Sequence, residues 1–358
     1  MQSKLAIEEP ILPVPANLPA AEKALQALCI FTHNPDARFR SEFQHTWLTE
    51  LFKGELEDIL VVAKTGGGKS LAYMLPPLVF EHSRTVVIQP LISLVNQTVT
   101  DLQKLNGVRV QHYKPMQHIT SYTQVVVSLV DHAGSVDFFN QLRTWRPTRI
   151  IIDEAHSFLE DGYRTYAPGV VALGQLSAQF VLTTASLPPS KEGALVDGIF
   201  FRQRMRTLRE LTFRPELCIE VHQKAIPIGD ISRRFKDLIM EYVRLPQDRA
   251  MIFIENRKLV NEVARDLKAF SYHSEMDEPT RMNSASGWAS TEQGIMVATS
   301  GFGAGINYPH VRLVVIFGLP RYEDATKVYQ QMGRGGRDGK PTYVEIIPRE
   351  TGYNCRDN

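Results

Sequence analysis

Short, uniformly apolar and β-branched runs recur along the chain and alternate with segments of helical periodicity. Runs that are apolar at every position are typical of strands covered by helices on both faces of a parallel sheet. The candidate strands fall into two series: residues 59–62, 85–88, 124–127, 149–152 and 180–183, and then residues 251–254, 294–298, 313–316 and 343–346. The pattern therefore predicts an α/β protein of two successive domains, each a mostly parallel sheet flanked by helices.

Domain limits are predicted from the segments that lie outside the two series. The first 20 residues are rich in Pro and Ala, and a short amphipathic helix is predicted from Ala20. A strand-poor, arginine-rich stretch separates the two series, and the boundary is placed near residues 214–224. We expect an N-terminal extension over residues 1–30, a first domain over residues 31–217 and a second domain over residues 218–358.

The arginines of the separating stretch form a local basic cluster. Arg202, Arg206 and Arg209 have the spacing that a helix would place on one face. Two interpretations remain open, a solvated helix face and a patch that contacts phosphates. The whole chain does not decide between them, because 40 basic and 39 acidic residues leave a net charge of only +1.

Composition limits the class of protein. The 358 residues are 43% hydrophobic and 9% aromatic, which indicates two globular domains and excludes a disordered or fibrous chain. Cys29, Cys218 and Cys355 lie far apart, so a disulfide framework or a four-cysteine zinc site is excluded and a reducing compartment is favoured. The sequence shows neither a secretory signal nor an apolar run of roughly 18 residues. We therefore expect an intracellular protein without membrane association, located in the nucleus if the source is eukaryotic.

The sequence AKTGGGKS at residues 63–70 has the pattern of a phosphate-binding loop. It directly follows the predicted strand 59–62 and opens a helical stretch. Glycines let the backbone wrap a phosphate, so that N–H groups converge on it at a helix N-terminus. Lys69 would reach the β- and γ-phosphates, and Ser70 would ligate Mg²⁺. The candidate ATP-binding residues are Thr65, Gly66, Gly67, Gly68, Lys69 and Ser70.

A second motif, DEAH, begins at Asp153 at the carboxyl end of the predicted strand 149–152. Ligands of open α/β sheets bind at that edge. We predict that Asp153 holds Mg²⁺ and that Glu154 orients or deprotonates the attacking water. On its own, an acidic tetrapeptide after a strand is more often a helix N-terminus. The phosphate-binding loop earlier in the chain is what favours a nucleotide-hydrolysis site.

A third motif is the glycine-bounded turn within residues 330–339, which carries Arg334 and Arg337. Two guanidinium groups three residues apart can present fixed donors to a γ-phosphate. Alone, such a stretch is more typical of an exposed basic loop. Together with the first two motifs it predicts an ATP site shared by two domains, with both arginines acting as fingers supplied across the cleft.

These motifs resemble those of the superfamily 2 helicases, specifically the RecQ-like DNA helicases, with some likeness to their telomere-linked fungal branch. The resemblance covers about residues 35–348. It implies two RecA-like domains, ATP and Mg²⁺ as cofactors, a DNA substrate and 3′–5′ movement. The segments that carry it are TGGGKSLAY, PLISLVNQTVTDLQ, DEAH, FRPEL, YHSEMDEPTRM, VATSGFGAGINYPHVRLVVIFGLPR and YQQMGRGGRDG.

The resemblance also implies roles for single residues. Phe39 and Gln44 match the motif that reads adenine, and Gly303 lies in the second-domain motif that touches phosphates. Thr184 lies in the motif that couples the nucleotide state to the grip on DNA. The nucleic-acid contacts implied in this way are Pro90, Ser93, Thr184 and Thr299.

Two departures from the family pattern bear on function. Relatives follow DEAH with a tryptophan-containing loop that senses single-stranded DNA, whereas residues 157–166, directly after DEAH, contain no Trp here. Phe158 and Tyr163 could stack on bases or belong to the core, and both interpretations stay open. The chain also ends soon after Gly339, where relatives continue into a zinc-binding and winged-helix region. We therefore expect either a fragment or a core motor, without zinc.

The combined interpretation is an ATP-dependent helicase core that acts on single-stranded and duplex DNA, with protein partners left open. One alternative is an RNA-directed helicase or RNA-dependent ATPase on the same scaffold, which stimulation by RNA rather than DNA would reveal. The other is a non-hydrolysing remnant that binds nucleic acid, which intact nucleotide binding without turnover would reveal.

Overall fold

The chain was analysed as a computed structural model, which describes residues 18–54, 57–159, 167–199, 205–211, 213–302, 308–318 and 325–348. It divides into two compact units, Met1–Leu211 (unit 1) and Thr212–Asn358 (unit 2). The division falls six residues before the predicted limit between residues 217 and 218. None of the helices within the described ranges is both long enough and apolar enough to cross a membrane.

Unit 1 is built on a seven-stranded sheet in which every neighbouring pair is parallel. The spatial order is β3-β4-β2-β5-β6-β1-β7. The strands are β1 (Asp58–Val62), β2 (Thr85–Gln89), β3 (Val110–His112), β4 (Val125–Leu129), β5 (Arg149–Asp153), β6 (Gln179–Thr184) and β7 (Met205–Arg209).

Helices cover both faces of this sheet. On β1, Leu60 and Val62 belong to one buried apolar cluster, and Ile59 and Val61 belong to another. This alternation explains why the strand is apolar at every position. The helices are α1 (Ala20–Thr32), α2 (Glu42–Phe52), α3 (Leu71–Met74), α4 (Pro76–Val79), α5 (Ile92–Gln103), α6 (Val130–Ala133), α7 (Val136–Trp145), α8 (Ala167–Ala172) and α9 (Pro189–Ile199), with 3₁₀ turns at Ala155–Leu159 and Leu173–Gln175.

Unit 2 contains a six-stranded sheet, again parallel throughout, in the order β10-β11-β9-β12-β13-β8. Helices α10 and α11 pack on one apolar cluster, and α12 and α13 contribute to the other. The elements are β8 (Leu217–Val221), α10 (Ile228–Tyr242), β9 (Arg249–Ile254), α11 (Arg257–Leu267), β10 (Phe270–Tyr272), α12 (Glu278–Ser290), β11 (Ile295–Ala298), β12 (Val311–Phe317), α13 (Ala325–Met332) and β13 (Thr342–Ile347).

The fold class is confirmed, and the nine predicted strands are present, each within two residues of the expected limits. The helix predicted from Ala20 is also present, but it packs on α2 and α4, so most of the residues 20–30 assigned to an extension belong to the core of unit 1. Strands β3, β7, β8 and β10 were missed because they are short or carry polar residues.

The structure differs most clearly from the prediction in the arginine-rich stretch between the two series of strands. It contains β7 and β8, so the description as strand-poor is wrong, and so is the helix face predicted for its arginines. Arg206 and Arg209 lie on β7 and form ion pairs with Glu50 at 2.8 Å and Glu192 at 2.7 Å. Arg202 lies outside the described residues.

Candidate nucleotide-binding and hydrolysis site

The loop at residues 63–70 connects β1 to the short helix α3, the context that a phosphate-binding loop requires. Gly66 and Gly68 both have φ of +81°, a conformation that other residues rarely adopt. A Cβ on Gly67 would lie 2.9 Å from the Lys64 carbonyl oxygen, which already accepts a hydrogen bond from the Gly67 N–H. The run of glycines is therefore demanded by the backbone path. Thr65 lies half-buried in the same turn.

Lys69 folds back over this loop. Its Nζ donates to the carbonyl oxygens of Ala63 at 3.2 Å and Lys64 at 3.3 Å. Within the described ranges no carboxylate forms an ion pair with it, and its side chain is half-buried. The ammonium group is thus positioned at the loop with carbonyl partners, which an anionic phosphate can outcompete.

Asp153, the last residue of β5, is held by three hydrogen bonds. Its Oδ1 accepts from the Thr183 hydroxyl at 2.7 Å and from the Glu154 N–H at 3.0 Å, and its Oδ2 accepts from Gln89 Nε2 at 3.0 Å. Burial raises the pKa of Asp153, and the nearby Glu154 raises it further, while the side-chain donors oppose this shift. The carboxylate is fixed in orientation by neutral donors.

Ser70 and Asp153 line the same cavity of about 430 Å³, at the carboxyl edge of the sheet. A hydroxyl and a carboxylate are hard oxygen donors of the kind that Mg²⁺ takes in proteins, with water filling the other positions. The two predicted metal ligands are thus brought together in space, although they lie far apart in sequence, and the donor set fits Mg²⁺.

Glu154, His156 and Thr184 form a chain of contacts beside Asp153. Glu154 has φ of +51°, and its Oε2 lies 3.4 Å from His156 Nδ1. The same nitrogen lies 2.9 Å from the Thr184 hydroxyl. Thr184 is fully buried, so the contact with nucleic acid expected of it is wrong for this conformation. It instead joins the DEAH segment to the end of β6.

The two residues expected to read adenine lie near the loop. Gln44 is 3% exposed, its Oε1 accepts from the Arg40 N–H at 2.8 Å, and its amide packs so closely that a Cβ on Gly68 would lie 2.6 Å from Nε2. Phe39 is half-buried, with its ring centroid 5.0 Å from that of His45. Gln44 therefore contacts the phosphate-binding loop directly.

The residues expected to contact nucleic acid differ in accessibility. Pro90 is half-buried and Ser93 is exposed where β2 leads into α5, beside the exposed side chains of Leu91 and Ile92. Phe158 is only 6% exposed and packs in the core of unit 1, which decides against stacking for this residue. Two further predicted residues, Tyr163 and Gly303, lie outside the described residues.

In unit 2, the predicted arginines lie in the turn after α13. Arg334 and Arg337 are both half-buried. Arg214 holds this turn by donating to the Gly333 carbonyl at 2.9 Å and the Gly335 carbonyl at 2.6 Å. Thr299 follows β11, half-buried, and its N–H donates to the Tyr272 carbonyl at 3.1 Å.

Asp338, in the same turn, is held by cationic and imidazole groups. It accepts from Arg312 Nη1 at 3.0 Å and lies 3.0 Å from His310 Nδ1. Burial alone would raise the pKa of Asp338, but the hydrogen bonds from Arg312 and its neighbours lower it to about 2. This carboxylate fastens the arginine-bearing turn to β12.

No positioning role was predicted for several residues that hold the site, although His156, Arg214, His310 and Arg312 lie within segments that carry the resemblance. These residues are Gln89, Thr183, His156, Arg214, Arg312 and His310. A partial signal existed for two of them. Gln89 and Thr183 are polar residues that end otherwise apolar strands, at the sheet edge where ligands bind. For the others the contact joins distant segments, and nothing local in the sequence indicates it.

Comparison with known proteins agrees with this arrangement. Residues 41–193 match the DEAD/DEAH box helicase model, and residues 233–339 match the helicase conserved C-terminal domain model. Among curated proteins, the chain is 29% identical to the ATP-dependent DNA helicase RecQ of Haemophilus influenzae, over 83% of this chain and 49% of that protein. It is 24% identical to the ATP-dependent DNA helicase Q5 of Rattus norvegicus, over 86% of this chain and 34% of that protein. The chain thus spans half or less of the length of these relatives.

Solved structures show the same fold. The helicase MrfA bound to DNA matches with a TM-score of 0.74 at 17% identity, covering 95% of this chain and 52% of that chain. Dbp5 of S. cerevisiae bound to RNA and ADP BeF3 matches with a TM-score of 0.71 at 17% identity, covering 95% and 89%. Both family models, the relatives and the folds agree. The chain therefore contains the two domains of a DEAD/DEAH box helicase, and it is similar to RecQ helicases at 24–29% identity.

Proposed function

We propose that the chain is the motor core of an ATP-dependent DNA helicase that moves 3′–5′ on single-stranded DNA and unwinds duplex DNA. The observation that carries the proposal is the placement of Ser70 and Asp153 on one cavity beside the Lys69 loop. RecQ relatives at 24–29% identity are named as DNA helicases, which supports DNA as the substrate. The proposed location is intracellular, in the nucleus of a eukaryotic cell.

Each residue of the site has a chemical task in ATP hydrolysis. Lys69 exchanges its loop carbonyl partners for the β- and γ-phosphate oxygens. Ser70 and Asp153 hold Mg²⁺, which when bound neutralises charge that develops on the phosphates. Glu154 orients the attacking water, and its contact with His156 fixes the direction of its carboxylate. Arg334 and Arg337 are proposed as the donors to the γ-phosphate from the second unit.

Coupling to nucleic acid is proposed through residues next to this site. Pro90 and Ser93 follow β2, whose last residue, Gln89, contacts Asp153. His156 and Thr184 link the hydrolytic segment to β6. Closure of the ATP site with bound nucleotide and its release after hydrolysis would alternate the grip of the two units on a single strand.

The test is steady-state ATP hydrolysis without nucleic acid, with single-stranded DNA and with single-stranded RNA of the same length and base composition. We expect DNA to stimulate turnover and Lys69→Ala to abolish the stimulation. Ser93→Ala should weaken stimulation while leaving basal turnover unchanged. Stimulation by RNA alone would support the RNA-directed alternative instead. Nucleotide binding without turnover under every condition would support a non-hydrolysing remnant.

A further inference from the structure

Unit 2 carries a second group of ligand-type side chains, away from the motifs described above. Glu220 on β8 and His222 directly after it are two residues apart, so their side chains point to the same side of the sheet. Glu345 on β13 is the direct register partner of Glu220. The donor atoms of these three residues, here called the β8–β13 cluster, all lie within 4.8 Å of one another.

The three side chains of the cluster differ in how far they are exposed to solvent. Glu345 is only 2% exposed, and its Oε2 lies 2.5 Å from His222 Nε2. The main chain of His222 is fixed beside β13, because its backbone N–H donates to the Ile346 carbonyl at 2.9 Å. The Glu220 side chain is 64% exposed, and its Oε1 lies 4.0 Å from the same ring nitrogen. A buried anchor and a solvent-facing third donor provide both a fixed geometry and an entry path.

The charge of the cluster is not balanced by protein groups. A buried carboxylate is costly unless a cation or a set of donors compensates it. Across the described ranges, the ion pairs of Glu345 and Glu220 are made with His222 alone. One imidazole, even when protonated, cannot neutralise two carboxylates.

We propose that the β8–β13 cluster binds one divalent transition cation of the Zn²⁺ class. Its ligands are Glu345, His222 and Glu220, with water at the remaining position. An imidazole with two carboxylates suits Zn²⁺ or a neighbouring transition metal better than Mg²⁺ or Ca²⁺. This donor set is unrelated to the four-cysteine site that the cysteine spacing excludes.

Of the two observed separations between ligand atoms, one is shorter and the other is longer than a tetrahedral metal site requires. Two ligand atoms bound tetrahedrally at about 2.1 Å from Zn²⁺ are roughly 3.4 Å apart. The observed separations are 2.5 Å between His222 and Glu345 and 4.0 Å between His222 and Glu220. The cation would take the place of the hydrogen between the first pair, and the exposed Glu220 would swing in by less than about 1 Å.

The consequence is structural. In the part of unit 2 that the structure describes, β8 is an edge strand of the sheet and pairs with β13. Ligands from both strands would fasten that edge. The proposal does not depend on ATP turnover by the chain, and its failure would leave the proposed function untouched.

The test is equilibrium dialysis of the full chain against Zn²⁺ without nucleotide, in an Asp153→Asn background that removes the predicted Mg²⁺ ligand of unit 1. We expect one Zn²⁺ per chain and a thermal shift of unit 2 on Zn²⁺ addition. His222→Ala and Glu220→Gln should each weaken binding about tenfold or more. Cys218→Ser and His118→Ala are matched controls, an exposed thiol and an exposed imidazole, and should bind as the parent does.

Glu220→Gln keeps the proposal testable if the buried variants fail to fold, because Glu220 is exposed. Unchanged Zn²⁺ affinity in both Glu220→Gln and folded His222→Ala would overturn the proposal. Loss of binding in Cys218→Ser would also overturn it, since the ion would then be held by the thiol. Displacement of Zn²⁺ by equimolar Mg²⁺ would contradict the proposed class of cation.

Discussion

Two aspartates, Asp153 in the DEAH segment of unit 1 and Asp338 in the arginine-bearing turn of unit 2, are held by opposite chemistry. Asp153 accepts hydrogen bonds from the neutral side chains of Gln89 and Thr183, and burial raises its pKa. Asp338 accepts from Arg312, and despite its burial its pKa falls to about 2. Among the described residues the donors to the first carboxylate are all neutral, whereas the second carboxylate is neutralised by Arg312.

This difference in partners distinguishes a candidate metal ligand, Asp153, from a carboxylate that stabilises the fold, Asp338. A carboxylate oriented by neutral donors keeps its negative charge available to an incoming cation. The negative charge of a carboxylate that is paired with a guanidinium is already neutralised within the protein, and the pair stabilises the fold. Both aspartates lie in segments that carry the resemblance, and their partners in the structure distinguish the two tasks.

The largest effect is expected when the ligand itself is changed. Asp153→Asn should lower ATP turnover about 100-fold or more, because the amide cannot supply the charge that holds Mg²⁺. The fold should tolerate the change. The Gln89 amide can turn over, so that its oxygen, which is buried without a hydrogen-bond partner, accepts from the new Asn nitrogen. Steady-state hydrolysis at saturating ATP measures the first effect, and thermal unfolding measures the second.

Asp338→Asn is the matched change in unit 2 and should act on stability. It should lower the free energy of unfolding by about 1.5–3 kcal/mol, the range for hydrogen bonds to charged groups. If ATP turnover in Asp338→Asn fell as far as in Asp153→Asn while its free energy of unfolding stayed unchanged, the proposed difference between the two aspartates would be contradicted.

The pH dependence of Asp338→Asn follows from the pKa of the native residue. Because the folded pKa of about 2 lies below the ordinary 3.8, ionised Asp338 stabilises the fold above about pH 4. This contribution is lost as the pH falls from about 4 towards 2. The stability difference between wild type and Asp338→Asn, measured by urea unfolding with circular dichroism, should therefore be full at pH 5 and shrink below pH 3.

The smallest effect is expected from substitution of the adjacent residues Thr183 and Thr184, which have different hydrogen-bond partners. Thr183→Val removes one donor to Asp153 and should raise the Mg²⁺ concentration for half-maximal turnover about three- to tenfold, in keeping with the loss of one charge-assisted hydrogen bond. Thr184→Val, one residue along, removes the contact with His156 instead and should leave the Mg²⁺ dependence unchanged. Equal shifts in both variants would indicate general damage to β6.

Most of the fold could be predicted because a parallel sheet covered on both faces needs uninterrupted apolar strands. The central strands show this plainly, for example β2 and β5. The missed strands lack that signal, as β7 shows with its arginines at positions 206 and 209, since an edge strand is only partly covered. Tertiary pairing therefore overrode the helical spacing of those arginines.

The site could be predicted only as far as its chemistry is local. The glycines of residues 66–68 and the pair of acids at 153–154 form short local motifs, and the two motifs taken together predicted their tasks. The core position of Phe158 and the burial of Thr184 depend on packing between distant segments, as do the donors that hold Asp153. Such contacts leave no periodic pattern in one sequence.

The most direct test of the central claim is binding of a fluorescent ATP analogue as a function of Mg²⁺ concentration in wild type, Ser70→Ala, Asp153→Asn and Asp338→Asn. The account predicts that Mg²⁺ strengthens binding in wild type and Asp338→Asn, and that this strengthening is lost in Asp153→Asn and reduced in Ser70→Ala. Mg²⁺-dependent binding that persists in Asp153→Asn and disappears in Asp338→Asn would contradict the account.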